Sequence, residues 1–281
     1  FLPGSPQRRN QLLGQGPSKI HLLYPSGKLP PFPALYERTT CLGRNGSVEA
    51  LGEASIRHSY MDKNFHTWML GLAAQWLGVN QTQANSVAPI LISEEQGRHK
   101  STFCRMLMPP QLARYYSDNL KLTAQGNPER LLAEMGLLNM DEFDKFGAQK
   151  MPLLKNLMQM SSLNICKAYQ KNFRSLPRIA SFIGTSNRTD LLCDPTGSRR
   201  FICLEAEHDI DCTGIEHSQI YAQLKEELLA GARHWFNKEE EHALQRHNSA
   251  YYHVNPIEDI VCNIYAVSYT HLRAHETKAN L

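Results

Sequence analysis

"EEQGRHKSTF", Glu94 to Phe103, is the stretch on which the fold turns. It follows the phosphate-loop pattern GxxxxGK[ST], except that Glu94 and His99 stand where the pattern asks for glycine; Lys100 and Ser101 stand where it asks for lysine and a hydroxyl. Such a loop works because successive backbone N–H groups curl round a phosphate at the start of a helix. The lysine then neutralises the β and γ oxygens, and the hydroxyl ligates Mg²⁺. Gly97 remains as a flexible point, and histidine is one of the non-glycine residues enriched at positive φ. Glu94 and Glu95 would repel a triphosphate unless they point away from it. Taken alone, the stretch also reads as a plain surface turn between a strand and a helix.

Its surroundings supply that strand and that helix. "SVAPILIS" (Ser86 to Ser93) is an apolar run of strand length, and "KSTFCRML" places Phe103, Met106 and Leu107 at i, i+3, i+4 before Pro109 and Pro110 stop the helix. Upstream, "NFHTWMLGLAAQWLG" lines up Phe65, Trp68, Met69, Leu72 and Trp76 on one helical face, with Gly78 as a stop. Downstream, Asn127 and Pro128 read as N-cap and first turn of a helix. "MPLLKNLMQMSSLN" puts Leu153, Leu154, Leu157 and Met158 on one face, "RIASFIGTSN" reads as a strand, and Ile220, Leu224 and Leu228 mark a further amphipathic helix. Strands alternating with helices from 86 to 205 predict an α/β fold with a mostly parallel sheet flanked by helices.

Bulk properties fit a soluble globular chain of 281 residues, 42% hydrophobic and 20% charged, with a net charge of +3 too small to signal nucleic-acid binding without local clusters. Seven cysteines without a CxxC pair argue for a reducing compartment, and with no signal peptide or long apolar run the chain reads as cytoplasmic, with no membrane partner. The Pro-rich residues 1–43 read as linker or poorly ordered, 44–85 as a helical lead-in, 86–215 as the core and 216–266 as a helical region. The start at Phe1 rather than Met reads as a fragment. "VSYTHLRAHET" (Val267 to Thr277) resembles a translated sequencing adapter, so 267–281 is read as an artefact and the His271/His275 pair is set aside as a metal site.

Further stretches carry chemistry. "LLNMDEFD" ends an apolar run in Asp141 and Glu142, about where an ATPase places one acid for Mg²⁺ and a second to polarise the attacking water; a solvated acidic turn is the plainer alternative, and Asp144 and Lys145 are assigned to it. "FIGTSNRTDLL" ends a strand near Asn187, whose amide could meet the γ-phosphate or the lytic water, or merely make a turn. "DPTGSRRF" offers Arg199 and Arg200, either surface arginines or a finger worth about 10³–10⁵ in rate. The order of the set outweighs each member: strand–KS–helix, apolar run–DE, strand–N, then RR.

That order, with "LKNLMQM" and "DPTGSRRF", resembles the virulence-associated protein E family of P-loop proteins found in phages and mobile elements, from about Phe65 to Glu205. The resemblance implies an AAA+ or superfamily 3 helicase-like ATPase core with Mg²⁺-ATP, a homo-oligomeric ring, a primase nearby, and single-stranded or forked DNA as partner in replication. It carries Lys100 and Ser101 over as Walker A residues within a nucleotide-binding stretch of Gly97, Arg98, His99, Lys100, Ser101 and Thr102. Asp141 and Glu142 become Walker B, with Ser101 and Asp141 at the metal, Asn187 the sensor, and Arg199 and Arg200 the finger. Glu94 and His99 depart from the family pattern and bear on turnover and affinity. In "NICKAYQKNFRSLPR", Lys167, Lys171, Arg174 and Arg178 interleave with Tyr169 and Phe173, an arrangement that suits phosphates and stacked bases or an ordinary basic hairpin. A non-hydrolysing nucleotide-binding scaffold is the alternative function.

Overall fold

Short runs buried at every position demand cover on two sides, and the central strands of this chain are of that kind. In the computed structural model, which describes residues 59–79, 82–123, 126–166, 173–194 and 197–252, five strands form one sheet: β1 (Ala88–Ile92), β2 (Tyr116–Ser117), β3 (Leu137–Met140), β6 (Ser181–Ser186) and β7 (Phe201–Glu205). Their order is β2-β3-β6-β1-β7, and every neighbouring pair is parallel. A separate antiparallel hairpin, β4 (Ser162–Cys166) with β5 (Phe173–Pro177), lies between β3 and β6 in the chain.

The period of two divides the core. Leu91, Leu137, Ile183, Ile202 and Leu204 face one layer, built from helix α1 (Ser59–Leu77), α2 (Lys100–Met106) and α5 (His217–Leu229). Ile90, Ile92, Leu138, Met140, Phe182 and Cys203 face the other, covered by α3 (Pro128–Glu134) and α4 (Met151–Gln159). Strands buried on both faces read as continuous apolar runs, as "APILI" does. α1 is apolar nearly all round, burying Leu70, Ala73 and Ala74 besides the predicted stripe, and Gly78 follows it at φ 67°. α1 and α5 pack in one core with the sheet.

Two predicted stripes run one residue too wide. Met106 and Leu153 are exposed, because α2 and α4 are short and turn Phe103 and Cys104, and Met151, Leu154, Leu157 and Met158, toward the core instead. Asn127 precedes α3 in a left-handed conformation without a side-chain cap bond, while Pro128 takes the first turn as expected. Gly184 is required by packing: a Cβ there would lie 2.7 Å from Ile90 Cδ1 and 3.2 Å from the Met140 carbonyl, between the two strands that carry the site.

Arg178, expected to meet DNA, does something else. It is 3% exposed, and its guanidinium donates to the carbonyls of Ala180 (2.7 Å), Leu157 (3.3 Å), Met158 (2.5 Å), Met160 (3.4 Å) and Asn85 (3.0 Å), with Phe182 beneath it. Burial lowers its pKa to about 9, so it stays charged at neutral pH. All three of its nitrogens are thus engaged in joining α4 and the turn before β1 to β6, and it cannot reach a phosphate. Arg178→Ala strips those carbonyls of their donor and should cost about 3 kcal/mol or more of unfolding free energy, read as a lower urea midpoint.

Near the chain's far end, α6 (Lys238–His247) opens on a capping box, Asn237 with Glu240. Glu240 also accepts two 2.6 Å bonds from Arg233, and that guanidinium holds its carboxyl down at about 2, below the ordinary 4.5. A depressed carboxyl stabilises above its unfolded value and stops doing so as pH falls through the folded one. Glu240→Gln should therefore lower Tm at pH 7, and the deficit should shrink between about pH 4.5 and pH 2 in thermal melts.

Candidate nucleotide site

All five strands of the sheet run the same way, so their carboxyl ends share one rim, the place where open α/β sheets bind ligands. The 93–99 loop leaves β1 there and enters α2 at Lys100. His99 adopts φ 59°, ψ 19° and Gly97 φ 87°, so the histidine takes up the left-handed turn that the pattern assigns to glycine. The Ser93 amide donates to the Ser186 carbonyl at 3.2 Å, fastening the loop's start to the end of β6.

Lys100 is 7% exposed, and its ammonium turns back into the loop to donate to the carbonyls of Ser93 (2.9 Å) and Glu95 (3.2 Å). Desolvation first, then the charge of Arg98, lowers its pKa. The two troublesome carboxylates are engaged elsewhere: Glu94 accepts from Thr189 Oγ1 at 3.4 Å, and Glu95 from Arg98 at 2.6 Å. Arg98 also donates to the Glu207 carbonyl, and its own carbonyl accepts from the Ile210 amide at 3.3 Å. Its side chain therefore braces the loop against the segment after β7. Thr102 points outward on α2, exposed.

Across the rim, β3 delivers Asp141 and Glu142. Ser101 Oγ donates to Asp141 Oδ1 at 2.8 Å, which places the loop lysine's neighbour and the first acid side by side. Thr185 Oγ1 donates to the same Oδ1 at 2.6 Å and accepts from the Glu142 amide at 3.3 Å. Glu142 sits at φ 51°, left-handed for a residue with a Cβ, and its carboxylate pairs with Lys145 at 2.6 Å. Asp144, expected in a solvated turn, accepts instead from Ser186 Oγ at 3.1 Å. Asn187 follows β6 at this rim, half-buried.

The oxygens of Ser101 and Asp141 test well against Mg²⁺. They are hard ligands, and one carboxylate with one hydroxyl is the sparse set that suits an ion keeping most of its water. Among the described residues no group of three or more His, Cys, Asp or Glu could hold a metal by itself.

Arg199 and Arg200 are not at this rim. They precede β7, whose first residue Phe201 is level with Ala88 at the start of β1, while Glu205 is level with Ile92. At about 3.3 Å per residue, the strand separates them from the loop by roughly 13 Å, beyond an arginine's reach. Arg199 pairs with Glu241 at 3.5 Å; burial, then the charge of Arg199, lowers the pKa of Arg200. Their loop is held by an ion pair from Lys155 on α4 to Asp194. Lys167 and Lys171 lie outside the described residues, as does the side chain of Arg174; residues 1–43 and 267–281 lie outside them too.

The family described as virulence-associated protein E-like domain matches residues 50–253. The chain belongs to that family. Comparison with curated proteins returned no match. Among solved structures, this virulence-associated protein E-like chain is similar to the A-form apo structure of the NrS-1 C-terminal region, at 18% identity and a TM-score of 0.41, over 73% of this chain and 42% of that one. A second apo structure of the same region gives 17% identity and a TM-score of 0.42, over 75% and 55%. The chain spans about half the length of those structures. No helix among the described residues is long and apolar enough to cross a membrane.

Thr185 and Ser186 are the site residues that sequence reading missed. "GTSN" signals a polar strand end, but which acid each hydroxyl meets depends on β6 lying beside β3, a matter of sheet order.

Proposed function

We propose that this chain carries a P-loop NTPase core of the AAA+ or superfamily 3 type, hydrolysing Mg²⁺-ATP in the DNA replication of a phage or mobile element. One observation carries the reading: the Ser101–Asp141 hydrogen bond of 2.8 Å, which joins a left-handed loop before Lys100 to the acids after β3. The sheet order, with one strand between β1 and β3, supports it. Family membership supports the replication setting.

In this reading the amides from Gly97 to Thr102 hold the β and γ phosphates, and the Lys100 ammonium exchanges its carbonyl partners for phosphate oxygens. Mg²⁺ at Ser101 and Asp141 supplies positive charge to the phosphate oxygens. Glu142 accepts a proton from water as the water oxygen bonds to the γ-phosphorus. The bond to the bridging oxygen breaks, and ADP departs with the electron pair. Asn187 orients the water or the γ-phosphate, and Arg199 or Arg200 of an adjoining copy in a ring stabilises the charge. DNA meets the hairpin near Lys167, Lys171 and Arg174, and a primase works beside the ring.

A second reading, a non-hydrolysing nucleotide-binding scaffold, is favoured by one feature: the carboxylate expected to act as base is paired with Lys145. Steady-state phosphate release with Mg²⁺-ATP, with and without single-stranded DNA, separates the two. Hydrolysis above background, increased by DNA, is expected; ATP binding without release supports the scaffold. Lys167→Ala with Lys171→Ala should weaken strand binding and reduce its salt slope by about 1.4 if each contacts one phosphate.

A further inference from the structure

Beside Glu142, away from the 93–99 loop, a cleft of about 280 Å³ opens at the carboxyl ends of β2 and β3. Its walls combine Leu120, Leu122 and Phe146 with three lysines, Lys121, Lys145 and Lys150. Leu120 and Leu122 are buried, whereas all three lysines are exposed, so an apolar floor lies beside solvent-accessible cations. Lys150 lies over the Phe146 ring at 5.9 Å. Asp141 and Glu142 border the cleft on the nucleotide side.

Three lysines lining a cleft with apolar and aromatic walls match one unit of a single strand: a phosphodiester for the lysines, and a sugar and base face for Leu120, Leu122 and Phe146. The volume lies just under the ~300–1,000 Å³ of small-molecule clefts and suits such a fragment rather than a large cofactor. Lys145 belongs both to this cleft and to the ion pair with Glu142. The side chains of that pair are 67% and 48% exposed, and ion pairs that open to water are weak enough to be exchanged.

We propose that the cleft binds a backbone phosphate of single-stranded nucleic acid, and that this phosphate draws Lys145 off Glu142. The strand then frees the carboxylate that the proposed ATPase uses as its base. The coupling half of this inference rests on the proposed function; the binding half does not. The contact is distinct from the β4–β5 hairpin, because it lies at the carboxyl rim of the sheet, whereas that hairpin joins the chain just before the amino end of β6.

The test uses the full chain with Lys121→Ala and Lys150→Ala together, and Lys145→Ala separately. Binding of a fluorescent oligothymidylate is read by anisotropy across a salt titration, without ATP. Loss of the contacts to that one phosphate should raise Kd about fivefold and lower the salt slope by about 0.7 in the double variant, with basal phosphate release unchanged. Unchanged affinity and slope would overturn the site. Equal affinity of the wild type for dTMP and for the oligomer would overturn the strand in favour of a free nucleotide. Phosphate release by Lys145→Ala should rise up to about fivefold without DNA and no longer respond to it. Strand stimulation persisting in Lys145→Ala would overturn the coupling. An inert ATPase would show differently, as no phosphate release from any protein with the binding results intact.

Discussion

Lys100→Ala is expected to reduce ATP turnover by about 10³ or more, to the level of background hydrolysis. The ammonium is buried and held by two loop carbonyls, so it lies within the curl of the loop rather than on the surface. Desolvation and Arg98 both disfavour its charge there. In the proposed function a triphosphate would reverse that balance by supplying anionic oxygens to the same group, so the cation would gain most on nucleotide binding. Alanine removes the charge and leaves the Ser93 and Glu95 carbonyls without their donor. Lys100→Arg should fail nearly as far, since a planar fork does not substitute for a point charge in so closed a turn. Phosphate release per active chain, with melting curves to confirm folding, gives the answer. Wild-type turnover in Lys100→Ala would remove the loop from the chemistry.

The second large effect concerns the paired arginines. Arg199→Ala with Arg200→Ala should lower turnover by about 10³–10⁵, the range for an arginine finger, while leaving ATP affinity within a few-fold. The register of β7 on β1 places these residues at the rim opposite the loop, so under the proposed reading a finger role would be played on a neighbouring copy and not on their own site. Complementation follows from that geometry. Lys100→Ala chains have intact arginines but a dead loop, and the arginine variant has the reverse. Mixing the two should restore a fraction of the activity that neither has alone. A mixture as inactive as its parts would contradict action across a subunit boundary.

How legible the molecule was in its sequence depended on how local each feature is. β1 could be read because a strand buried on both faces needs an unbroken apolar run, which "APILI" supplies; β3 and β6 showed as shorter apolar stretches, "LLNM" and "SFIGTS", that bury polar residues as well. Burial at Met106 and Leu153 was misjudged because a three-to-four spacing marks a stripe but not its width on a helix of two turns. Lys100, Ser101, Asp141 and Glu142 stood out by residue type and order. The role of His99 as a left-handed pivot was legible only as a permission, since histidine tolerates positive φ without demanding it. Arg178 was misread for a physical reason: a basic residue among lysines and aromatics resembles a phosphate contact, and the carbonyl cage that holds it comes from segments as far away as Asn85. Thr185 and the rim of Arg199 and Arg200 required the strand order, which no local pattern encodes.

The central claim is that the loop ahead of Lys100 and the acid at Asp141 grip one triphosphate between them. A crystal structure of the chain with a non-hydrolysable ATP analogue and Mg²⁺ tests it most directly. The account expects the phosphates against the amides of residues 97–102, the Lys100 ammonium moved from the Ser93 and Glu95 carbonyls onto phosphate oxygens, and the ion between Ser101 and Asp141. Analogue bound away from this rim, or Lys100 still on its carbonyls beside bound nucleotide, would contradict it.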